Sequence, residues 1–226
     1  MLAAVIFDFD GIIVDTEPLH YKAFQEILVP FGLGYSWDDY LVRYLGFDDR
    51  DALREAFRSG GRALEEEDLR KLIHEKGEAF NRIIGSGVTQ YPGVVELILS
   101  LKGCIPMAVC SGALPGDIVP IFLQLGISSH FDAIITAADV RKSKPDPESY
   151  ALAVERLKVT FPDNGIIPEN CLAVEDTPAG ITSATGAGLK VLAVTNSYPE
   201  KELSGATKVL NTLAGIDLQG LRKLLL

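Results

Sequence analysis

Two carboxylates close a short apolar run near the start of the chain. Leu2 to Phe7 is apolar, Asp8 ends the run, and Asp10 and Gly11 follow. A run of this kind reads as a strand buried on both faces. In an open parallel sheet, ligands bind just beyond the carboxyl ends of the strands. Asp8 and Asp10 would then stand where the sheet meets its ligand. Two acids so close repel unless a cation or a shared proton sits with them, and a hard divalent ion such as Mg²⁺ suits oxygen ligands. Gly11 lets the backbone turn tightly or approach a ligand closely. Alone, the pair reads equally well as solvated acids at a strand end.

Three further places set polar residues beyond an apolar run. Ser111-Gly112 follows Met107-Ala108-Val109-Cys110, Lys144 lies in Lys142-Ser143-Lys144-Pro145-Asp146-Pro147, and Glu175-Asp176-Thr177 follows Leu172-Ala173-Val174. The Ser111 hydroxyl with the Gly112 N–H could hold a phosphate oxygen. Lys144 could neutralise Asp8 and a transferring phosphate as a point charge. Glu175 and Asp176 with Asp8 would complete an oxygen site for Mg²⁺. Each also has a plain reading: a turn, a solvated lysine in a rigid loop, and acids at a helix start.

A parallel sheet would bring these segments to one edge. Strand-like runs at 105–110, 131–136, 171–174, 191–194 and 208–210 alternate with helical stretches at 94–101, 117–125, 148–157 and 179–187. That alternation predicts an α/β, Rossmann-like parallel sheet. Between Thr16 and Gly87 the apolar spacing is helical only (Leu19, Ala23, Phe24, Ile27, Leu28; later Leu53, Ala56, Phe57 and Leu69, Leu72, Ile73). Thr16 is the expected N-cap of the first helix, with Pro18 in its first turn. The expected organisation is a core of residues 1–15 and 88–226 with an all-helical unit, 16–87, inserted after the first strand. The linkers at Val14-Asp15 and Ser86–Tyr91 would run side by side as a hinge.

The 226 residues suit such a core with one small insert. A formal charge of −10 argues against nucleic acid as a partner, because a phosphate backbone needs a basic footprint. Cys104, Cys110 and Cys171 show no C-x-x-C pairing and read as small core residues of a cytoplasmic protein. No apolar run approaches a membrane span, and no signal peptide is evident. Oligomeric state is not legible.

Asp8-Phe9-Asp10-Gly11 with Asp15-Thr16 resembles the first motif of the haloacid dehalogenase-like phosphotransferases, DxD-G-x-x-x-D-[ST]. Ser111, Lys144 and Glu175-Asp176 match the remaining three motifs in order. The resemblance spans essentially the whole chain and places it in the helical-cap subclass, near β-phosphoglucomutase and the sugar-phosphate or phosphoglycolate phosphatases. It implies that Asp8 is the nucleophile, that Asp10 is the acid/base, and that Ser111 and Lys144 are catalytic. Ser111, Gly112 and Lys144 would bind phosphate. Mg²⁺ would be held by Asp8, Asp176, Glu175 and Asp10, the last through its main-chain carbonyl. The partner would be a small phosphorylated metabolite.

The cap departs from the mutase pattern. A mutase grips a second phosphate with a cap Arg, yet the loop here reads Gly46-Phe47-Asp48-Asp49-Arg50-Asp51, with Asp49 at the Arg position. The Ser and Lys expected just after Ser111 are replaced by Gly112, Ala113 and Leu114. His20, Arg50 and Lys76 are the expected substrate contacts from the cap, although His20 and Lys76 also read as a solvated helix face. The expectation is a Mg²⁺-dependent phosphatase of small phosphate monoesters working through an aspartyl-phosphate. The alternative is a β-phosphoglucomutase-type phosphomutase, and a distant one is a phospho-accepting signalling module. Receiver modules lack a DxD on the first strand and have no helical insert.

Overall fold

The computed structural model describes residues 2–45 and 47–224, so Gly46 of the cap loop lies outside the described residues. The core strands are β1 (Ala4–Phe7), β4 (Met107–Cys110), β5 (Ala133–Ile135), β6 (Cys171–Glu175), β7 (Lys190–Val194) and β8 (Lys208–Leu210). They form one sheet in the order β5-β4-β1-β6-β7-β8, every pair parallel. β1 is central: Val5 lies opposite Met107 on one side and Leu172 on the other.

All four residues of β1 are buried, as its unbroken apolar run requires. Alternation splits them between two cores. Val5 and Phe7 join Val109, Ile118 and Phe122, whereas Ala4 and Ile6 join Ala108, Tyr150 and Val154. The covering helices are α5 (Val94–Leu101), α6 (Pro115–Leu125), α7 (Glu148–Thr160), α8 (Pro178–Gly186) and α9 (Leu218–Leu224).

The insert is helical throughout: α1 (Glu17–Leu28), α2 (Trp37–Arg43), α3 (Asp49–Ser59) and α4 (Glu66–Ile84). Its own core is built from Phe24, Leu28, Tyr40, Leu53, Phe57, Leu69 and Leu72. Side chains fix two of its helix starts: Ser36 accepts from the Asp39 N–H at 3.1 Å and Asp48 from the Asp51 N–H at 2.9 Å. The linkers meet in a two-stranded antiparallel ribbon, β2 (Val14–Asp15) with β3 (Thr89–Gln90).

One expectation holds in position only, and one is corrected. Thr16 sits at the N-cap of α1 but its side chain makes no capping bond; its hydroxyl donates to Asp10 instead. Cys104 is exposed, because it falls in the turn between α5 and β4 and not within either, whereas Cys110 and Cys171 are buried. No helix among the described residues is long and apolar enough to cross a membrane.

Candidate active site

The four polar segments converge at the carboxyl edge of the sheet. Lys144 is the hub. Its Nζ lies 2.9 Å from Asp8 Oδ1 and 2.6 Å from Glu175 Oε1, and donates to the Cys110 carbonyl at 3.2 Å. The Tyr150 ring lies beneath it, 5.1 Å from Nζ, and the Tyr150 hydroxyl donates to Glu175 Oε1 at 2.7 Å. Burial acts to lower the Lys144 pKa, but Asp8 and Glu175 outweigh it and hold the ammonium well above its ordinary range. Lys144 therefore stays charged.

Glu175 is wholly buried and its oxygens are committed. Besides Lys144 and Tyr150, it accepts from the Asp176 N–H at 3.1 Å and the Thr177 hydroxyl at 3.4 Å. Gly180, in the first turn of α8, gives it room: a Cβ there would stand 2.0 Å from Glu175 Oε1. Gly→Ala inside a helix usually stabilises by about 0.4–1 kcal/mol. Gly180→Ala should reverse that sign, destabilising the fold and loosening Lys144. Thermal melts beside phosphate-ester turnover check this, and an unchanged melting temperature with full activity would contradict it.

Asp8, Glu175 and Asp176 offer carboxylate oxygens all within 4.8 Å of one another. Burial, then Glu175, pushes Asp8 up well above the carboxylate range despite Lys144, and burial, then Asp8 and Glu175, does the same to Asp176. Asp176 Oδ2 accepts from the Ser197 hydroxyl, while Oδ1 is buried without a partner. An all-oxygen donor set with excess negative charge and an orphaned oxygen fits a hard divalent cation. Gly11, at φ +79°, packs so closely that a Cβ would lie 1.9 Å from Asp176 Oδ2. The Asn196 amide fixes the Gly11 carbonyl at 2.6 Å.

Asp10 belongs to a different set. Its carboxylate accepts from the Thr16 hydroxyl and, at 3.3 Å, from the Ser111 hydroxyl, with His20 Nε2 at 3.5 Å. Burial alone would raise Asp10, but the His20 hydrogen bond and charge, with Thr16, hold it below its ordinary value. The Asp10 carboxylate is not among the three acids whose oxygens lie within 4.8 Å of one another.

Behind His20 runs a buried chain from the cap. Lys76 Nζ meets His20 Nδ1 at 2.8 Å and Asp49 Oδ1 at 2.7 Å, and lies between the rings of Phe24 and Phe80. The Lys76 side chain is fully buried and His20 is buried beside it, so the solvated-face reading of both residues is wrong. Arg50 instead pairs with Asp48 at 3.1 Å, and Asp48 accepts from the Ser143 hydroxyl at 2.5 Å, tying cap to core one residue before Lys144.

A pocket opens between core and cap. Asp8, Asp10 and Lys144 line it from the sheet, and Glu17, His20 and Asp49 from the cap. Gly112, Ser143 and Asp176 also border it.

The model of the haloacid dehalogenase-like hydrolases matches residues 5–194. The chain belongs to this family. It is 32% identical over 192 residues to the fructose-1-phosphate phosphatase YqaB of Escherichia coli, covering 85% of this chain and 96% of that one. It is 28% identical over 225 residues to the β-phosphoglucomutase of Bacillus subtilis, covering 96% and 93%. CbbY from Rhodobacter sphaeroides, solved in complex with phosphate, superposes with a TM-score of 0.87 at 26% identity over 98% of this chain and 100% of that one.

Within this haloacid dehalogenase-like frame, the expected residues fall in three places. Asp8, Asp10, Gly112, Lys144, Asp176 and His20 border the pocket; Ser111, Glu175 and Lys76 stand behind them; Arg50 lies outside it. Sequence reasoning missed Glu17 and Tyr40, which share a hydrogen bond at the pocket wall, and the supports Tyr150, Ser197 and Asn196. Only Glu17 left a signal, as an acid directly after Asp15-Thr16. The others act across long sequence separations.

Proposed function

We propose that the protein is a Mg²⁺-dependent phosphatase that hydrolyses small sugar-phosphate-like monoesters through an aspartyl-phosphate on Asp8. The observation that carries this is the separation of the two aspartates. Asp8 sits with Lys144 and the acid cluster, while Asp10 is held apart by Thr16, Ser111 and His20. Two acids in such separate surroundings suit two chemical roles, with the cation needed to ionise Asp8 and the arriving substrate to protonate Asp10, since the free site pushes Asp8 up and Asp10 down.

In this reading Asp8 attacks phosphorus in line, its oxygen forming the new bond as the bond to the leaving alcohol breaks. Asp10, held ionised in the free site by His20 and Thr16, would take up a proton as the phosphate dianion arrives and pass it to that alcohol. It then takes a proton from water, which attacks the acyl phosphate and regenerates Asp8. Lys144 offsets charge on the phosphoryl oxygens, and the Gly112 N–H gives one of them a donor. Asp8 and Asp176 through side chains, and Asp10 through its main-chain carbonyl, would hold Mg²⁺, with Glu175 adding charge to the cluster and positioning Lys144. When bound, the metal would keep Asp8 ionised and offset the substrate's negative charge. Asp10→Asn should keep the nucleophile and lower kcat by about 10²–10⁴-fold. The loss should be smaller for p-nitrophenyl phosphate, whose leaving group needs little protonation. Equal losses for alkyl and aryl esters would remove Asp10 from the acid role.

We assign residues 16–87 as a cap that closes over the core, 1–15 and 88–226, with the β2–β3 ribbon as its hinge and Asp48–Ser143 as a closing contact. Closure would hold bulk water out until the leaving group departs. Residence in a reducing cytoplasm accords with the three free thiols.

The phosphomutase reading is the alternative, since both activities occur among the relatives. Asp49 favours hydrolysis, because it stands where a mutase would hold a second phosphate. The deciding assay uses β-glucose 1-phosphate with glucose 1,6-bisphosphate and Mg²⁺. Phosphate release should exceed glucose 6-phosphate formation, and EDTA should stop it. Isomerisation that outruns hydrolysis by orders of magnitude would install the mutase reading.

A further inference from the structure

We propose that Asp49 is a specificity-determining residue that selects substrates with a neutral, hydroxyl-rich tail and rejects those with a second phosphate or a carboxylate. This rests on the phosphatase reading above and names the substrate class of that same site.

The argument begins with the cations near the pocket. Lys76 is fully buried, held by Asp49 and His20 and enclosed by Phe24 and Phe80, and it does not border the pocket. Arg50 is turned to Asp48 and also stays outside. Neither of these two charges borders the pocket, and His20, which does, is engaged by Asp10 and Lys76. Lys144 is committed to Asp8 and Glu175 at the reacting end.

What the cap does present is acceptors. Glu17, Asp48 and Asp49 all border the pocket. Glu17 already accepts from the Tyr40 hydroxyl, and Asp48 from Ser143, Arg50 and the Asp51 N–H. Asp49 is different. Its Oδ1 is taken by Lys76, but its Oδ2 is buried and makes no hydrogen bond. A buried acceptor left unpaired is costly, and a substrate hydroxyl that reached it from the pocket Asp49 borders would relieve that cost. An ionised carboxylate accepts and cannot donate, so a hydroxyl satisfies Asp49 where a phosphate or carboxylate meets like charge. Discrimination then comes from attraction to one class and repulsion of the other. A phosphoglycolate-like substrate, allowed by the sequence, falls on the rejected side.

The test is binding, with turnover blocked by Asp8→Asn. With Mg²⁺ present, calorimetry compares glucitol 6-phosphate, 6-phosphogluconate and glucitol 1,6-bisphosphate, which share a carbon chain and differ at one end. Glucitol 6-phosphate should bind at least about tenfold more tightly than either anion-tailed ligand. Adding Asp49→Asn should shrink that ratio below about threefold, by tightening the anionic ligands as Lys76 loses its partner. Anionic ligands that bind as well as glucitol 6-phosphate while Asp49 is intact overturn the assignment, whether or not the double variant folds. A ratio unmoved in a folded double variant overturns it equally. Wild-type hydrolysis of p-nitrophenyl phosphate reports on the parent reading separately. Turnover with the wrong ratio removes only the role of Asp49, and the right ratio without turnover removes only the phosphatase.

Discussion

Asp8→Asn should abolish turnover while leaving the protein folded. Loss of a covalent nucleophile costs on the order of 10⁶-fold in kcat, and an amide cannot form the acyl phosphate. The structural side of the expectation runs the other way. Asp8 is one of three buried acids within 4.8 Å, and burial and Glu175 already push it toward its neutral form. Removing its charge relieves repulsion, so without Mg²⁺ the variant should melt no lower than wild type. Mass spectrometry of quenched wild-type enzyme should find phosphate on Asp8 and none in the variant. Label on a serine, histidine or cysteine would displace Asp8 from its role.

Lys144→Met should have the second largest effect, and it should be on both stability and activity. The single ammonium between Asp8 and Glu175 is held at 2.9 and 2.6 Å. Breaking a buried ion pair from one side costs about 3–5 kcal/mol, since the remaining charge is left uncompensated. For a chain of this size that corresponds to a fall in melting temperature of roughly 10 °C. Lys144→Met with Glu175→Gln removes the stranded charge while keeping an acceptor for Tyr150, so it should recover much of the stability and none of the activity. If the double variant melts as low as the single one, packing of the lysine stem and not charge explains the loss.

Asp8, Ser111 and Glu175 were legible because each follows an apolar run, and a parallel sheet aligns the ends of such runs, whereas Lys144 lies well past Ile135 at the end of β5 and was legible only through its resemblance to the family motif. The core strands fell where their buried, β-branched stretches placed them. What stayed hidden depends on contacts between distant segments. Lys76 looked like a solvated residue of an amphipathic helix, yet His20 on α1 and Asp49 on α3 draw it fully inside. Thr16 had the residue type of a cap, but Asp10 competes for its hydroxyl. The short helices α2 and α9 give too few turns for a periodic pattern to register. The orphaned oxygens of Asp49 and Asp176 have no trace in sequence at all, because an absent partner is a property of the assembled pocket.

The central place of β1 also sets an order of assembly. Its partners are β4, about a hundred residues onward, and β6, farther still, so the first strand made is among the last to be enclosed. The helical insert lies wholly between them and closes its own core from near neighbours, Leu28, Leu53 and Leu72 among them. Local contacts form faster than distant ones, and chains emerge from the ribosome amino end first. The cap can therefore be compact while β1, with its unbroken apolar run, still waits for both neighbours. A nascent chain stalled before β6 would carry a compact helical insert and a first strand with one edge still open to other chains.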